Sequence, residues 1–360
     1  TPRDVHQIGA GPQPGQCAPV QQLAGVRRQR QQADKHPGGS EEIVPGVRWV
    51  RMPLPFALDH INLWLLADGD TWTAVDTGIA METLQDSWRK LLPGHPLSRI
   101  IVTHFHPDHL GLAAWLVERT GATLWISQGE YTTSQMIRHQ IASYSIPAML
   151  QFFQGHGLDT ARLEALAVRG NSYGKGVPAV PTTYRRLFDG EDIVIGGRAW
   201  RTMVGHGHAP EHMSLYCAEL GILISGDMLL PRISTNISAV ASNPDGDPLR
   251  LFLDSLQRLK ALPADTLVFP SHGRPFRGLH VRIAAPEAPH EARCAELVAA
   301  CEAPKTAADL IPVIFQRELG DAHQTMFAMG ETIAHLKYLE HAQRLRCATE
   351  NGISRYAVPN

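Results

Sequence analysis

Apolar and polar residues alternate with a period of two along Val47-Arg48-Trp49-Val50-Arg51-Met52, the signature of a half-buried strand. Two apolar runs follow, Ile61-Asn62-Leu63-Trp64-Leu65-Leu66 and Trp72-Thr73-Ala74-Val75, separated by the turn residues Asp68-Gly69-Asp70. The second run exits through Asp76-Thr77-Gly78. Over residues 81–92 the period lengthens to that of an amphipathic helix, which Pro93-Gly94 stops. Residues 99–103 read as a short buried strand, a helix from about 110 ends at Gly121, and residues 123–126 form the next strand. From Glu130 to about Tyr173 the pattern is helical, irregular and interrupted by glycines, so residues 130–180 are expected to be an insertion that walls a substrate site. Strands return at 184–188, 193–195, 199–204, 213–217 and 222–225, followed by a helix at 249–262 and a last buried strand at 267–270. Two successive batches of strands and helices predict an α+β domain over residues 42–285, with two mixed sheets face to face and helices outside.

The ends differ from this middle. Residues 1–41 are rich in Gln, Gly, Pro and Arg and almost free of aromatic residues, which predicts a disordered leader. Residues 286–360 read as three helices, at 291–301, 307–318 and 323–345, and a strand pair at 345–348 and 353–356 joined across Asn351-Gly352. That is a small helical, winged-helix-like domain. Packing or a homodimer contact is its expected role, because its last helix is not strongly basic.

Composition narrows the classes. The 360 residues carry 44% hydrophobic and 19% charged positions, the balance of an ordinary globular protein. A formal net charge of −2 gives no global field for nucleic acid, and no apolar run reaches membrane-spanning length. The five cysteines are widely spaced and form no C-x-x-C pair, which argues against a thiolate metal site and fits a cytoplasmic location.

The chemistry concentrates at His104-Phe105-His106-Pro107-Asp108-His109, directly after a β-branched strand. Three other strand ends carry similar groups: Gly205-His206-Gly207-His208-Ala209-Pro210-Glu211-His212, Ser225-Gly226-Asp227 and Ser271-His272-Gly273. With Asp76-Thr77-Gly78 ahead of them, these motifs occur in the order found in the metallo-β-lactamase superfamily, which the chain closely resembles over about residues 42–280. The C-terminal part, through Met329-Gly330-Glu331-Thr332-Ile333-Ala334-His335-Leu336, resembles the winged-helix appendage of a glyoxalase II-like, β-lactamase-like hydrolase branch.

The resemblance implies a four-layer αββα sandwich with two divalent metal ions, zinc first and iron or manganese as alternatives. By position, His104, His106 and His208 would hold the first metal, Asp108, His109 and His272 the second, and Asp227 would bridge them. A hydroxide shared by the two ions would be the nucleophile, with Asp108 orienting it or taking a proton. His206 and His212 compete with His208, but the resemblance to the family's G-H-x-P-x-H pattern, with Pro210 and His212 in step, implies His208; His212 would then donate to a ligand or a backbone carbonyl, and His206 would be structural. Asp76 is expected to brace the strand end, and Arg232 to meet a substrate carboxylate or phosphate or to form a structural ion pair. Asp59 and His60 are expected at the surface, with support of a ligand as the alternative, His335 as a packing or interface residue, and Tyr131, Tyr144 and Tyr173 as candidate hydroxyls near a leaving group.

Within the superfamily, Asp227 disfavours a β-lactamase and His106 disfavours a diiron flavoprotein oxidase, while the full ligand set disfavours a mononuclear dioxygenase. The expected function is therefore hydrolysis of a small-molecule thioester, lactone or other ester, as in glyoxalase II. A single-strand endoribonuclease or phosphodiesterase of the same superfamily is the alternative.

Overall fold

The computed structural model describes residues 39–359 apart from residues 57 and 286. β1 (Ser40–Val44), β2 (Val47–Pro53), β3 (His60–Asp68) and β4 (Thr71–Val75) form an antiparallel meander. After α1 (Glu82–Leu91), β5 (Leu97–Ile101) joins β4 in parallel. The chain continues through α2 (Pro107–Leu110), α3 (Ala113–Thr120), β6 (Thr123–Ser127), α4 (Gln128–Arg138), α5 (Ile146–Gly155), α6 (Thr160–Arg169), α7 (Tyr173–Gly176) and β7 (Arg185–Leu187). The first sheet thus has seven strands in the order β1-β2-β3-β4-β5-β6-β7. β8 (Asp192–Ile195), β9 (Arg198–Gly205), β10 (His212–Cys217), β11 (Ile222–Gly226), α8 (Pro248–Leu259) and β12 (Leu267–Pro270) follow, and the second sheet runs β12-β11-β10-β9-β8.

Alternation decides which residues enter which layer. Val47 and Trp49 of β2 and Trp64 and Leu66 of β3 point between the sheets, where Trp64 stacks on Phe269 of the second sheet at 4.2 Å between ring centroids. Their neighbours Val50, Met52, Leu63 and Leu65 point the other way, against Leu84 and Trp88 of α1 and Leu116 of α3. Because both faces are buried, β3 reads as a nearly continuous apolar run. On the outer face of the second sheet, Leu223 and Val268 pack against Phe252 and Leu256 of α8. Helix, sheet, sheet and helix make the expected four-layer α+β sandwich.

α9 (Leu279–Ala284) leads into a C-terminal part built of α10 (Glu287–Ala300), α11 (Ala307–Ile314), α12 (Ala322–His341) and the hairpin β13 (Arg346–Glu350) and β14 (Ile353–Ala357). The hairpin turns on Asn351 and Gly352, both at positive φ as a tight two-residue turn requires. This part shares one apolar cluster with α8 and with Phe153, Leu158 and Leu166 of the 130–180 segment. That segment therefore leans on the C-terminal domain.

Several boundaries move, among them the start of the first C-terminal helix, at Glu287 instead of 291. Ser40 and Glu41, expected in the leader, pair with Val50 and Trp49, because one acidic edge strand needs only a partner on one side; residues 1–38 lie outside the described residues. The second C-terminal helix stops at Ile314, since Phe315 turns extended at φ −109° and ψ 91°. The third stops at His341, where Gln343 takes φ +58° and the Arg344 and Leu345 amides fold back on the Leu339 carbonyl. No described helix is long and apolar enough to cross a membrane.

Candidate metal centre

Parallel pairing puts the C-terminal ends of β4 and β5 side by side, and likewise those of β11 and β12. Chemistry-bearing loops of α/β sheets gather at such strand ends. Here the two sheets are also tied together at that edge, by Met213 N–H donating to Thr103 O at 2.8 Å and Asn62 N–H to Ser271 O at 2.7 Å. Residues 103–109, 206–212, 227 and 271–273 consequently face one another.

Donor atoms of His104, His106 and His208 lie within 4.8 Å of one another, as do those of Asp108, His109 and His272, and those of His104, His109 and Asp227. Asp227 faces both sides: Oδ1 lies 3.7 Å from His109 Nε2 and 3.5 Å from His272 Nε2, while Oδ2 lies 3.6 Å from His208 Nε2. Asp108 Oδ2 is 3.4 Å from His272 Nε2 and 3.7 Å from His109 Nε2. Among the described residues, His109 Nε2 and Asp227 Oδ1 are buried without a hydrogen-bond partner. Two orphaned donors facing each other beyond hydrogen-bond range suit a cation between them. The set of nitrogen and carboxylate oxygen donors fits divalent transition metals.

Three of the imidazoles are aimed by what the other nitrogen does. His208 Nδ1 lies 2.7 Å from Asn236 O and His272 Nδ1 lies 2.8 Å from His60 O. A carbonyl can only accept, so Nδ1 carries the proton and Nε2 offers its lone pair to the centre. His109 Nδ1 is held by Asp76 Oδ2 at 2.8 Å, and Asp76 Oδ1 accepts the Thr103 N–H at 2.8 Å. Asp76 reaches both from a left-handed backbone at φ +64°. The expected strand brace thus also orients a candidate ligand.

Charge follows the same division. Burial lowers the pKa of His104 well below, and of His106 to about 3, so both are neutral donors at pH 7. Burial likewise opposes charge on His109, but Asp76, Asp108 and Asp227 outweigh it and hold that imidazole well above its ordinary value. His272 is raised in the same way by Asp227 and Asp108 against burial. Asp227 is buried, yet His272 and His109 keep it well below the usual carboxylate range. The carboxylate side of the centre draws positive charge.

Other expected residues fare differently. His212 touches Asp227, but its Nε2 accepts the Asp227 N–H at 3.0 Å instead of donating. Its ring fills the space beside Gly226, where a Cβ would stand 2.4 Å from the imidazole and where φ is +54°. His206 is structural, with Nδ1 2.6 Å from Pro210 O and its N–H donating to Ser255 Oγ. Arg232 is exposed and makes no hydrogen bond or ion pair among the described residues, so the expected structural ion pair is not seen. Tyr173 donates its hydroxyl to Phe105 O at 2.6 Å and Tyr131 to Pro181 O at 3.0 Å, which commits both groups to backbone; Tyr144 is half-buried. His335 is a buried packing residue, with Nε2 3.0 Å from His290 Nδ1.

His60, for which the surface was the first expectation and support of a ligand the alternative, takes the supporting place: its Nε2 accepts the Gly273 N–H (2.9 Å) and its carbonyl holds His272. Asn62 and Glu130 were not foreseen. Asn62 donates to Pro270 O and Gly273 O, fixing the loop between them. Glu130 is wholly buried; Oε2 accepts the Phe105 N–H at 2.9 Å and Oε1 the Glu211 N–H at 2.6 Å. It ties the 104–109 loop to the 206–212 loop, and burial pushes its carboxyl up to about 8. Its sequence signal, Ser127-x-x-Glu130, is that of a capping box. Ser127 does cap α4, but the carboxylate turns to the two loops.

Residues 57–272 match the family model described as the metallo-beta-lactamase superfamily, and residues 294–359 match the metallo-beta-lactamase-like C-terminal domain. A beta-lactamase domain protein from Burkholderia ambifaria is 45% identical, superposes with a TM-score of 0.83, and shares 91% of this chain and 97% of its own. The probable metallo-hydrolase YqjP of Bacillus subtilis (strain 168) is 27% identical over 81% of this chain and 91% of its own length. Hydroxyacylglutathione hydrolase of Pseudomonas fluorescens (strain SBW25) is 27% identical over 61% of this chain and 63% of its own. With its sandwich, its clustered histidines and aspartates and these matches, the chain belongs to the metallo-beta-lactamase superfamily and is a metal-dependent hydrolase of that superfamily.

Proposed function

We propose that the protein hydrolyses a small-molecule thioester, lactone or other ester at a dinuclear centre. His104, His106 and His208 would hold the first metal, Asp108, His109 and His272 the second, and Asp227 would serve both. The observation that carries this reading is the Asp227 carboxylate, whose two oxygens face different histidines at 3.5 to 3.7 Å. Two divalent ions there, zinc first, supply Lewis acidity and an activated water at neutral pH.

The chain's own groups do the rest. The Nδ1–H bonds to Asp76, Asn236 O and His60 O keep His109, His208 and His272 from rotating. Asp108, whose side chain is 21% exposed, reaches both the donors and the open side of the centre. With Oδ2 turned to the histidines, Oδ1 is the atom that takes the attacking water's proton and returns it to the leaving thiol or alcohol. Hydroxyacylglutathione hydrolases among the relatives support the thioester, and the formal net charge of −2 supports a small substrate over a polyanion. We further propose that the C-terminal helices and hairpin form a winged-helix-like module that carries a homodimer contact, testable by light scattering on the full chain.

The deciding experiment measures bound metal by elemental analysis and turnover of thioesters, lactones and single-stranded RNA by one preparation, with Asp108→Ala as control. About two metal equivalents and ester cleavage that Asp108→Ala abolishes are expected. Full activity without metal defeats the mechanism. RNA cleavage that Asp108→Ala abolishes, without ester turnover, replaces the substrate class.

A further inference from the structure

We infer that the C-terminal domain holds His208 in place, through residues 235–239 docked on Gly330 of α12. The inference rests on the proposed ligand role of His208 and gives the appended domain a task in the reaction. Residues 235–239 form a strap between Asp227 and α8. Thr235 donates its hydroxyl to Asp227 O, and Asn236 O receives the His208 Nδ1–H at 2.7 Å. Ser238 Oγ donates to Asn236 Oδ1 at 2.8 Å, and Ala239 N–H donates to Gly330 O at 3.0 Å. Two of the proposed ligands are therefore fastened to one strap, and the strap is fastened to the C-terminal domain.

Packing makes the dock specific. Ile237 and Ala239 are buried in the cluster that also takes Ala328, Met329 and Ile333 of α12. Gly330 sits inside that helix, where glycine is disfavoured relative to alanine. Close approach accounts for it: a Cβ on Gly330 would stand 2.8 Å from Ser238 Cβ and 2.8 Å from its Oγ. Farther along, Lys337 reaches Asp245 Oδ1 at 3.3 Å and His341 Nε2 reaches Asp245 O at 3.0 Å, so α12 also grips the strap's continuation. No other bond of His208 Nδ1 is present among the described residues. Displacing Asn236 frees the imidazole to turn.

The test is a two-site zinc titration of the full chain, with cadmium NMR to resolve the sites and hydrogen exchange on the metal-free protein. Gly330→Ala pushes a methyl into the contact. Its first site should weaken about 10- to 100-fold, the usual loss when a ligand's outer partner is removed, while the second site, which shares only Asp227 with the strap, should weaken far less. In the metal-free variant the Ala239 amide should exchange faster. Ser238→Val enlarges the same contact from the strap side, leaves α12 intact, and should reproduce the selective loss. Ser238→Gly combined with Gly330→Ala reopens the space and should restore the affinity of Ser238→Gly alone. Unchanged first-site affinity in both Gly330→Ala and Ser238→Val overturns the inference, as does equal weakening of both sites. A wild-type protein that shows no two-site binding defeats instead the dinuclear reading on which it rests.

Discussion

Glu130 offers the sharpest check on how the 104–109 and 206–212 loops, which carry candidate ligands, are held. Its carboxyl is buried, and burial raises it from the ordinary 4.5 to about 8. Such a group binds its proton more tightly folded than unfolded. Its contribution is full below about pH 4.5 and is lost as pH rises through about 8; the displacement corresponds to about 5 kcal/mol. Glu130→Gln keeps the shape, removes the titration, and presents an NH₂ to one of the two amides, Phe105 N–H or Glu211 N–H, that now find oxygens. That mismatch costs about 1–3 kcal/mol at every pH. The variant should therefore be the less stable protein near pH 5 and the more stable one near pH 9. Urea unfolding of both metal-free proteins across that range measures the difference directly. Parallel stability curves would refute the buried, proton-binding carboxyl. A variant that matches wild type near pH 5 would refute the clamp.

Other changes address single contacts. Asp227→Ala removes the carboxylate that faces both donor sets and should abolish most turnover together with paired metal binding, read by steady-state rates and elemental analysis. Asp76→Asn disturbs the orientation of His109 and should weaken the second site about 10- to 100-fold in a metal titration, with little change at the first. Tyr173→Phe deletes one bond to Phe105 O; it should cost about 1 kcal/mol in urea unfolding and leave kcat nearly intact, whereas a hundredfold fall in kcat would make the hydroxyl a proton donor. Stripping the metal with a chelator should lower the unfolding free energy by about 4 kcal/mol when free zinc had stood roughly a thousandfold above Kd, and zinc should restore it.

Sequence periodicity was most informative where burial is two-sided or strictly alternating. β2 and β3 were legible because a strand in a sandwich has no choice of face. Ser40-Glu41-Glu42-Ile43-Val44 was not, since a half-exposed acidic edge strand carries no apolar period. The candidate ligands were legible as types at strand ends. Their supports were not. His60 acts on His272 through a backbone carbonyl 212 residues away, and no side-chain type records that. His212 was placed beside the centre, but the direction of its hydrogen bond depends on which amide meets it. Asn62 stands out as a lone amide in an apolar strand, but its partners Pro270 and Gly273 lie at the end of β12 and in the loop beyond it, on the other sheet's side. Glu130 hid within a helix-start pattern that it satisfies only in part.

The distribution of donors over both sheets has a mechanical consequence. His104 and His208 are 104 residues apart in sequence, and their Nε2 atoms are 3.2 Å apart in space. An ion gripping both behaves as a reversible cross-link, closing a long loop of chain as a disulfide does in proteins that have one. On the proposed reading, loss of the ion would leave that edge held by the Met213–Thr103 and Asn62–Ser271 backbone bonds, while Trp64 and Phe269 still hold the middle. Limited proteolysis would see the loss as cleavage confined to the strand-end loops. The metals, on this view, are rivets for the fold as well as reagents for the substrate.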